Sequence, residues 1–360
     1  MGQANYISIS SIYKAIVGII PDMAFVEGGR NINALVVGGA GIAGERHVAA
    51  RGRLGGATTA IFDLNFDKAR EVGERYGASV IETPHQMEEA AERANIVHVC
   101  TPDHQHTDLV IGALRSGAHV FVEKPMTTSL SEALRVQEAS HANNREVAVG
   151  TGYRLTPTFS EVKRLIATGE VGEILSIETT YLHDMREPIK QTPWRINQDF
   201  LYGGGIHAID LAYWILGVEI EEAQVSVGEK RIPNYKSFED YSISLKTRSG
   251  VIARVWLNAL AQLPTHGTDL KAYGTEGIYI THNRMDGYDH YEAEKKQSRF
   301  VKMQNNGVLT VDLQIAILDS WLRGNRPDYA PIPGVDEGVE VMRIVDAVER
   351  AISSSRTERV

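Results

Sequence analysis

A glycine-rich loop provides the clearest chemical signal in the sequence. The apolar run 32–37 has the length of a strand, and a helix-compatible stretch begins at Glu45. The loop between them consists of Gly39, Ala40, Gly41, Ile42, Ala43 and Gly44. Gly39 would permit a tight turn, Gly41 a close approach of phosphate groups, and Gly44 a close packing of helix on strand. A helix N-terminus at this point could therefore bind a pyrophosphate.

A second predicted strand ends at Asp63, about two dozen residues after the first glycine of the loop. A carboxylate at this distance can accept hydrogen bonds from the two ribose hydroxyls of NAD. It would repel the additional phosphate of NADP. The combination of loop and acid predicts NAD as the cofactor, with NADP less favoured.

A charged pair follows the fifth predicted strand, where Glu123 and Lys124 precede Pro125. The proline fixes the backbone and prevents the strand from continuing through Lys124. An ammonium group at a strand end can hydrogen-bond a substrate hydroxyl or carbonyl oxygen. The alternative is a surface salt bridge between the two side chains.

His207 lies in the first turn of a predicted helix, directly after three glycines at 203–205. Consecutive glycines are costly in entropy and are reasonable where a ligand passes close to the backbone. Asp210 falls one turn further along the same face and could orient the imidazole. The histidine is a candidate acid/base, although a structural role is the simpler alternative.

Strands and helices alternate over residues 31–151, which predicts an α/β domain with a doubly wound parallel sheet of the Rossmann type. Ligands of such sheets bind at the carboxyl ends of the strands, so the loop 101–106 would face the nicotinamide. The predicted strands are 34–37, 58–62, 79–81, 96–100, 119–123 and 147–150, and the helices begin near 45 and then cover 66–76, 86–93, 107–116 and 130–142.

Residues 152–360 predict an α+β domain with a mostly antiparallel open sheet for substrate binding and oligomerisation. Its strands are expected at 173–183, 223–229, 241–247, 251–260 and 268–273, with helices at 159–168, 206–216, 311–322 and 336–353. The first three helices can cover only one face of the sheet. Trp256 alternates with Val255 and Leu257, so the uncovered face is also apolar. We expect this face to join subunits in a homodimer or homotetramer.

Composition limits the remaining possibilities. The chain has 360 residues, a formal charge of −9 and one cysteine, Cys100. Its length suits two domains, and its charge argues against nucleic acid or a membrane as the main partner. We predict a cytoplasmic protein without a metal site, and a buried Cys100. Residues 1–30 form an extension that either packs on its own subunit or reaches a neighbour.

At this point the chain from about Asn31 resembles the Gfo/Idh/MocA family of oxidoreductases. The matching segments are the glycine loop, Asp63, Thr101-Pro102 with His106, Glu123-Lys124-Pro125, 152–154, 169–172, Trp194-Arg195 and 203–210. Members of this family typically oxidise or reduce one secondary alcohol of a sugar, sugar derivative or cyclitol with NAD or NADP. The resemblance implies that Lys124 polarises the substrate oxygen and that His207 is the acid/base.

The resemblance also suggests two groups of binding residues. Thr101, Pro102, His106 and Glu123 would lie near the nicotinamide riboside, with Trp194 and Arg195 near the phosphates or the substrate. The substrate candidates, besides Lys124 and His207, are Tyr153, Arg154, His183 and Asn197, with Asp184, Arg186, Trp194 and Tyr202 as further polar or aromatic possibilities.

One departure from the family pattern concerns the proton relay. Many members carry an aspartate four residues before the histidine, where this chain has Gly203, and Asp103 stands where asparagine is common. The identity of the proton relay is therefore open. Two other functions are considered beside the dehydrogenase. The first is an NAD-dependent glycosidase that oxidises the sugar transiently, and the second is a non-catalytic NAD-binding regulator.

Overall fold

The computed structural model describes residues 32–54, 57–263, 267–281, 286–292, 294–303, 310–324 and 332–360. The predicted extension 1–30 lies outside the described residues. The chain divides into two compact units. The first comprises the described residues of 32–155 and 310–339, and the second those of 156–303 and 340–360. This grouping differs from the predicted ranges because a segment near the C-terminus returns to the first unit.

The first unit contains a six-stranded parallel sheet with the strand order β3-β2-β1-β4-β5-β6. Its strands are β1 (Ile32–Val37), β2 (Ala57–Phe62), β3 (Ser79–Ile81), β4 (Ile96–Val99), β5 (His119–Val122) and β6 (Val147–Val149). Its connecting helices are α1 (Ile42–Leu54), α2 (Phe66–Tyr76), α3 (Pro84–Arg93), α4 (His106–Arg115) and α5 (Leu130–Asn143). This confirms the predicted doubly wound sheet, with each strand within about three residues of its expected bounds.

The strands of this sheet are apolar because helices cover both of its faces. Val36, Ile61 and Val72 form one buried cluster, and Cys100 belongs to it. The cysteine is buried, as predicted. The chain reverses direction after β1 and β4 at the same edge, which is where the glycine loop and the loop after Cys100 meet.

The second unit contains a nine-stranded sheet in the order β14-β13-β12-β11-β7-β10-β9-β8-β15. Its strands are β7 (Ile174–Leu182), β8 (Ile220–Val227), β9 (Asp240–Thr247), β10 (Ile252–Asn258), β11 (Leu270–Gly274), β12 (Gly277–Thr281), β13 (Gly287–Glu292), β14 (Gln297–Lys302) and β15 (Glu358–Arg359). Its helices include α6 (Pro157–Ala167), α7 (Arg186–Gln191) and α8 (Ile206–Leu216). All strand pairs are antiparallel except β7 with β10, so the predicted mostly antiparallel sheet is confirmed.

Two helices complete the described part of the chain, α9 (Thr310–Leu322) and α10 (Val335–Ser354). The prediction that α9 covers the second sheet is wrong, because α9 lies in the first unit. Its buried Asp319 accepts hydrogen bonds from Arg51 of α1 at 2.6 and 2.8 Å. Two turns earlier on the same helix, Asp312 pairs with Arg53 at 2.6 Å. These ion pairs attach α9 to α1.

Among the described residues, no helix combines the length and apolar character needed to cross a membrane.

Candidate active site

The glycine loop of the first unit shows why each glycine is needed. Gly38, which precedes the predicted loop, has φ of 81°, so it makes the tight turn that the sequence analysis assigned to Gly39. A Cβ on Gly39 would lie 2.3 Å from Ile61, and one on Gly44 would lie 2.1 Å from the carbonyl oxygen of Gly38. Gly44 therefore allows the helix to pack closely on the strand, as predicted.

Gly41 differs from the other glycines of the loop. A Cβ added there would meet only the Gly38 carbonyl oxygen at 3.4 Å and the Cys100 oxygen at 4.0 Å. Apart from the adjacent residues of the chain, no other atom of the described residues lies within 4 Å of that position, so the part of the chain that the structure describes leaves this backbone open. The next residue, Ile42, is 63% exposed at the start of α1. This cradle at a helix N-terminus suits a bound pyrophosphate.

Asp63 supports the loop with one carboxylate oxygen. Its Oδ2 accepts a hydrogen bond from the Ala40 backbone N–H at 2.9 Å, and its Oδ1 accepts from the Asn65 N–H at 2.8 Å. Each carboxylate oxygen has a further lone pair. The half-buried carboxylate can therefore brace the loop and accept hydrogen bonds from a ribose at the same time.

The loops after β4 and β5 are linked through His106. Its ring nitrogens lie 2.7 Å from the Pro125 carbonyl oxygen and 2.9 Å from the Thr101 carbonyl oxygen. Burial lowers the pKa of this imidazole. The Thr101 hydroxyl oxygen is buried without a hydrogen-bond partner among the described residues. A bound ligand would satisfy this group, which agrees with the predicted cofactor edge.

A chain of buried polar groups leads away from Glu123. Its Oε1 lies 3.0 Å from His47 Nε2, and His47 Nδ1 lies 3.0 Å from His98 Nδ1. Arg51 Nε donates a hydrogen bond to His98 Nε2 at 3.1 Å, and Arg51 Nη1 donates to Asp319 Oδ1 at 2.6 Å. His47 and His98 were not among the predicted site residues. The available signal was the position of His47 three residues after Gly44, in the second turn of α1.

The electrostatics of this chain follow from burial and neighbouring charge. Burial and the positive charge of Arg51 hold the pKa of His98 well below its ordinary value. Burial opposes ionisation of Glu123, but its hydrogen bond with His47 and the charge of Lys124 outweigh that and lower its pKa. Burial and the nearby Glu123 raise the pKa of the Cys100 thiol well above its usual range, so this cysteine is not a nucleophile.

His207 occupies the first turn of α8 in the second unit, as predicted. Its ring stacks on Tyr181 with centroids 5.6 Å apart. A Cβ on Gly204 would lie 2.3 Å from Tyr181, and one on Gly205 would lie 2.4 Å from Leu257. The interpretation of these glycines as room for a ligand is therefore wrong. They are small because the protein's own side chains pack against them.

Asp199 is the acid closest in sequence to the position where Gly203 replaces the family aspartate. Its Oδ1 accepts hydrogen bonds from Ser237 at 2.9 Å, Tyr241 at 3.0 Å and the Leu201 backbone N–H at 2.8 Å. These bonds fix Asp199 in a buried network. A Cβ on Gly203 would meet the Gln198 side chain at 2.7 Å.

The predicted substrate residues have different surroundings. Arg154 is fully buried and donates to Glu337 at 2.6 Å, which favours a structural role. Tyr153 beside it is half-buried. In the second unit His183 is half-buried and meets Tyr181 edge to face, whereas Asn197 is exposed.

Trp194 and Arg195 lie on the short 3₁₀ helix Pro193–Asn197. The guanidinium of Arg195 lies 4.8 Å from the Trp194 ring centroid and donates to Gln198 at 2.8 Å. Arg195 therefore has a defined orientation within the second unit. Its assignment to phosphate or substrate binding stays a prediction.

The predicted site residues thus fall into two sets. The first unit brings together the glycine loop, Asp63, Thr101, Pro102, His106, Glu123 and Lys124 at the carboxyl edge of its sheet. The second unit contains Trp194, Arg195, His183 and His207. A cleft of about 590 Å³ between the strands β1–β3 and α3 is lined by none of these residues.

The parallel sheet has an open glycine loop after its first strand, and Asp63 is hydrogen-bonded to that loop. This arrangement is typical of dinucleotide-binding proteins. Residues 32–151 match the model of the Gfo/Idh/MocA oxidoreductases, described as an NAD-binding Rossmann fold, and residues 159–280 match the Gfo/Idh/MocA C-terminal domain. Together these matches cover more than half of the chain. The chain therefore belongs to the Gfo/Idh/MocA family of oxidoreductases, and the predicted family and NAD-binding fold are confirmed.

Several relatives are named dehydrogenases. The chain is 30% identical over 223 residues to inositol 2-dehydrogenase 2 of Saccharopolyspora erythraea, a match covering 60% of this chain and 64% of that enzyme. The matches span 42 to 64% of the first four relatives, less than two thirds of their length.

Solved structures share the fold over nearly the whole chain. Levoglucosan dehydrogenase in complex with NADH has a TM-score of 0.82 at 21% identity, covering 92% of this chain and 99% of that one. An inositol dehydrogenase homologue from Azotobacter vinelandii, complexed with NADH and myo-inositol, has a TM-score of 0.76 at 21% identity, covering 93% and 100%. At this identity the likeness concerns the fold.

Proposed function

We propose that this protein is an NAD-dependent dehydrogenase that oxidises a secondary hydroxyl of a sugar, sugar derivative or cyclitol, or reduces the corresponding ketone. The observation that carries the proposal is the open backbone at Gly41 beside the braced carboxylate of Asp63. Inositol 2-dehydrogenase and levoglucosan dehydrogenase among the relatives support the substrate class.

NAD would be held by this chain's N-terminal domain, which we assign to residues 31–151. The N–H groups at the start of α1 would bind the pyrophosphate, and Asp63 would accept from the ribose hydroxyls. Thr101, whose hydroxyl is buried and has no partner among the described residues, would donate to the nicotinamide riboside end. When bound, NAD supplies the acceptor for the hydrogen of the carbinol carbon.

Lys124 and His207 would handle the substrate oxygen and its proton. The Lys124 ammonium donates a hydrogen bond to that oxygen, which stabilises the negative charge that develops on it. His207 accepts the hydroxyl proton during oxidation and returns it during reduction. Stacking on Tyr181 limits the tilt of the imidazole plane. Gly203 carries no carboxylate, and Asp199 accepts hydrogen bonds from Ser237 and Tyr241 in its own network. We therefore assign the proton step to the imidazole of His207 itself.

The C-terminal domain, residues 152–360, would supply the substrate site. Tyr153, His183 and Asn197 stay candidates for hydroxyl recognition, with Trp194 and Arg195 beside them or at the phosphates. Arg154 is the weakest candidate, because it is fully buried and bonded to Glu337.

A homodimer or homotetramer would form through the outer face of the second sheet. Ile252 and Trp256 of β10 are 37% and 47% exposed, while the alternate residues Ala253 and Val255 are buried. In the paired register, the row through Ile252 continues by way of Ser176 to Tyr273, Ile278 and the 38% exposed Tyr291. Large apolar and aromatic side chains exposed on one sheet face mark an interaction surface.

The test of the proposal is a screen of sugars, sugar acids and inositols for NADH formation. We expect NADH to accumulate with at least one free polyol. Cleavage of a glycoside without net NADH would support the glycosidase instead, and NAD binding without turnover of any polyol would support the regulator.

A further inference from the structure

We propose that His47 is a positioning residue that holds the Glu123 carboxylate as a fixed anion beside Lys124, and that His98 and Arg51 set the tautomer of His47. The inference deepens the proposed function, because it rests on Lys124 as the residue that contacts the substrate oxygen. Its geometric part concerns the first unit alone.

The direction of each hydrogen bond in this chain follows from Arg51. A guanidinium is always protonated and has only donors. His98 Nε2, which lies 3.1 Å from Arg51 Nε and 2.9 Å from another guanidinium nitrogen, must therefore accept. A neutral His98 then carries its proton on Nδ1. This proton points at His47 Nδ1, 3.0 Å away, which must also accept.

The direction of the hydrogen bond between His47 and Glu123 follows in the same way. With Nδ1 accepting, the neutral ring of His47 carries its proton on Nε2 and donates it to Glu123 Oε1 at 3.0 Å. The second carboxylate oxygen, Oε2, accepts from the Lys124 backbone N–H at 3.3 Å. Both oxygens of Glu123 therefore act as acceptors, which favours the ionised carboxylate.

The far end of the chain is anchored. Arg51 binds Asp319 through both carboxylate oxygens at 2.6 and 2.8 Å, and both side chains are buried. Such a bidentate ion pair fixes the plane of the guanidinium. Phe121 packs against both histidine rings, at 4.8 Å from His47 and 5.6 Å from His98. Both imidazoles are fully buried between these contacts.

A fixed Glu123 anion affects Lys124 through charge and through geometry. The titratable groups facing Glu123 are His47 from α1, Cys100 after β4, His106 from α4 and Lys124 itself. His47 is neutral in this arrangement, so Lys124 is the cation that Glu123 stabilises. The hydrogen bond from His47 restrains the Glu123 carboxylate, so its charge is held in a defined position beside Lys124.

The first test is NMR of the unliganded protein with ¹⁵N-labelled histidine. We expect His47 to be the Nε2–H tautomer and His98 the Nδ1–H tautomer, both assigned by comparison with single His variants. The opposite tautomer at either ring, or a charged ring at neutral pH, overturns the proposal. This measurement uses no cofactor and no substrate, so it stands even if the proposed reaction is wrong.

The second test follows the titration of Glu123 by ¹³C-carboxyl NMR, assigned with Glu123→Gln. In His47→Leu the carboxyl loses its donor while remaining buried, so we expect its pKa to rise by about one unit or more. His47→Gln keeps an N–H near the Nε2 position and should recover most of the shift. Arg53→Leu is the matched control, because it places leucine on the same helix and breaks the Asp312 pair without touching Glu123.

Comparison of these variants distinguishes a positioning role of His47 from a general effect of the substitution on stability. If His47→Leu and Arg53→Leu shift Glu123 equally, or if His47→Gln behaves as His47→Leu, the positioning role is refuted. In an active enzyme, the pKa that limits kcat/KM at acid pH should rise by the same amount in His47→Leu alone. A protein with the expected tautomers and titration but no dehydrogenase activity would refute the proposed function and leave the hydrogen-bond assignment intact.

Discussion

The glycine loop offers a pair of substitutions with opposite expected effects. In Gly41→Ala the added methyl group lies 3.4 Å from the nearest protein atom, which is ordinary van der Waals contact. Folding should therefore be nearly unaffected, and reduced backbone freedom in the unfolded chain could add about 0.4–1 kcal/mol of stability. In Gly44→Ala the methyl group lies 2.1 Å from the Gly38 carbonyl oxygen. The helix would have to move away from the strand, at a cost of about 1–3 kcal/mol.

NADH binding, unlike folding stability, should be strongly impaired in Gly41→Ala. A methyl group there occupies the space we assign to the pyrophosphate and would break one or two charged hydrogen bonds worth about 1.5–3 kcal/mol each. The Kd for NADH should rise by a factor of about 10 to 100. Titration calorimetry with NADH and thermal unfolding of the same samples measure both quantities. A Gly41→Ala protein that is stable and binds NADH with unchanged Kd would refute the placement of the pyrophosphate.

Three further predictions concern the site and the assembly. Lys124→Met and His207→Asn should each lower kcat by a factor of about 10² to 10⁴. The Kd for NAD, measured by fluorescence, should stay close to that of the parent. Unchanged turnover would exclude a catalytic role for the residue concerned. Asp63→Asn keeps an acceptor for Ala40 but loses the charge, so the preference for NAD over NADP in a binding assay should fall by about tenfold or more, and an unchanged ratio would argue against ribose recognition by Asp63. Trp256→Glu places a charge on the outer sheet face and should yield a smaller species in light scattering; an unaltered mass would show that this face does not join subunits.

Much of the first unit could be predicted because its signals are local. Apolar runs of strand length alternate with amphipathic helices, and the loop at 39–44 follows the first of them. The turn residue was misplaced by one position, since only the backbone shows that Gly38 has the positive φ. The strands β13 and β14 were missed because they are rich in polar residues and β14 is largely exposed.

Two other failures have a different physical cause, which is that they depend on pairings between residues distant in sequence. The membership of α9 in the first unit is set by Asp319 and Arg51, which are 268 positions apart. The contact between His47 and His98 joins residues 51 positions apart on a helix and a strand. Neither histidine has a neighbour in sequence that indicates a buried hydrogen-bond chain.

The central claim is that the carbinol hydrogen of a polyol passes to NAD, with Lys124 and His207 handling the oxygen and its proton. The most direct measurement uses a substrate deuterated at the reacting carbon and mass spectrometry of the reduced cofactor. The account predicts deuterium at the nicotinamide C4 in the parent enzyme and its loss in Lys124→Met and His207→Asn. Deuterium transfer that persists in both variants, or NAD binding without transfer from any polyol, would contradict it.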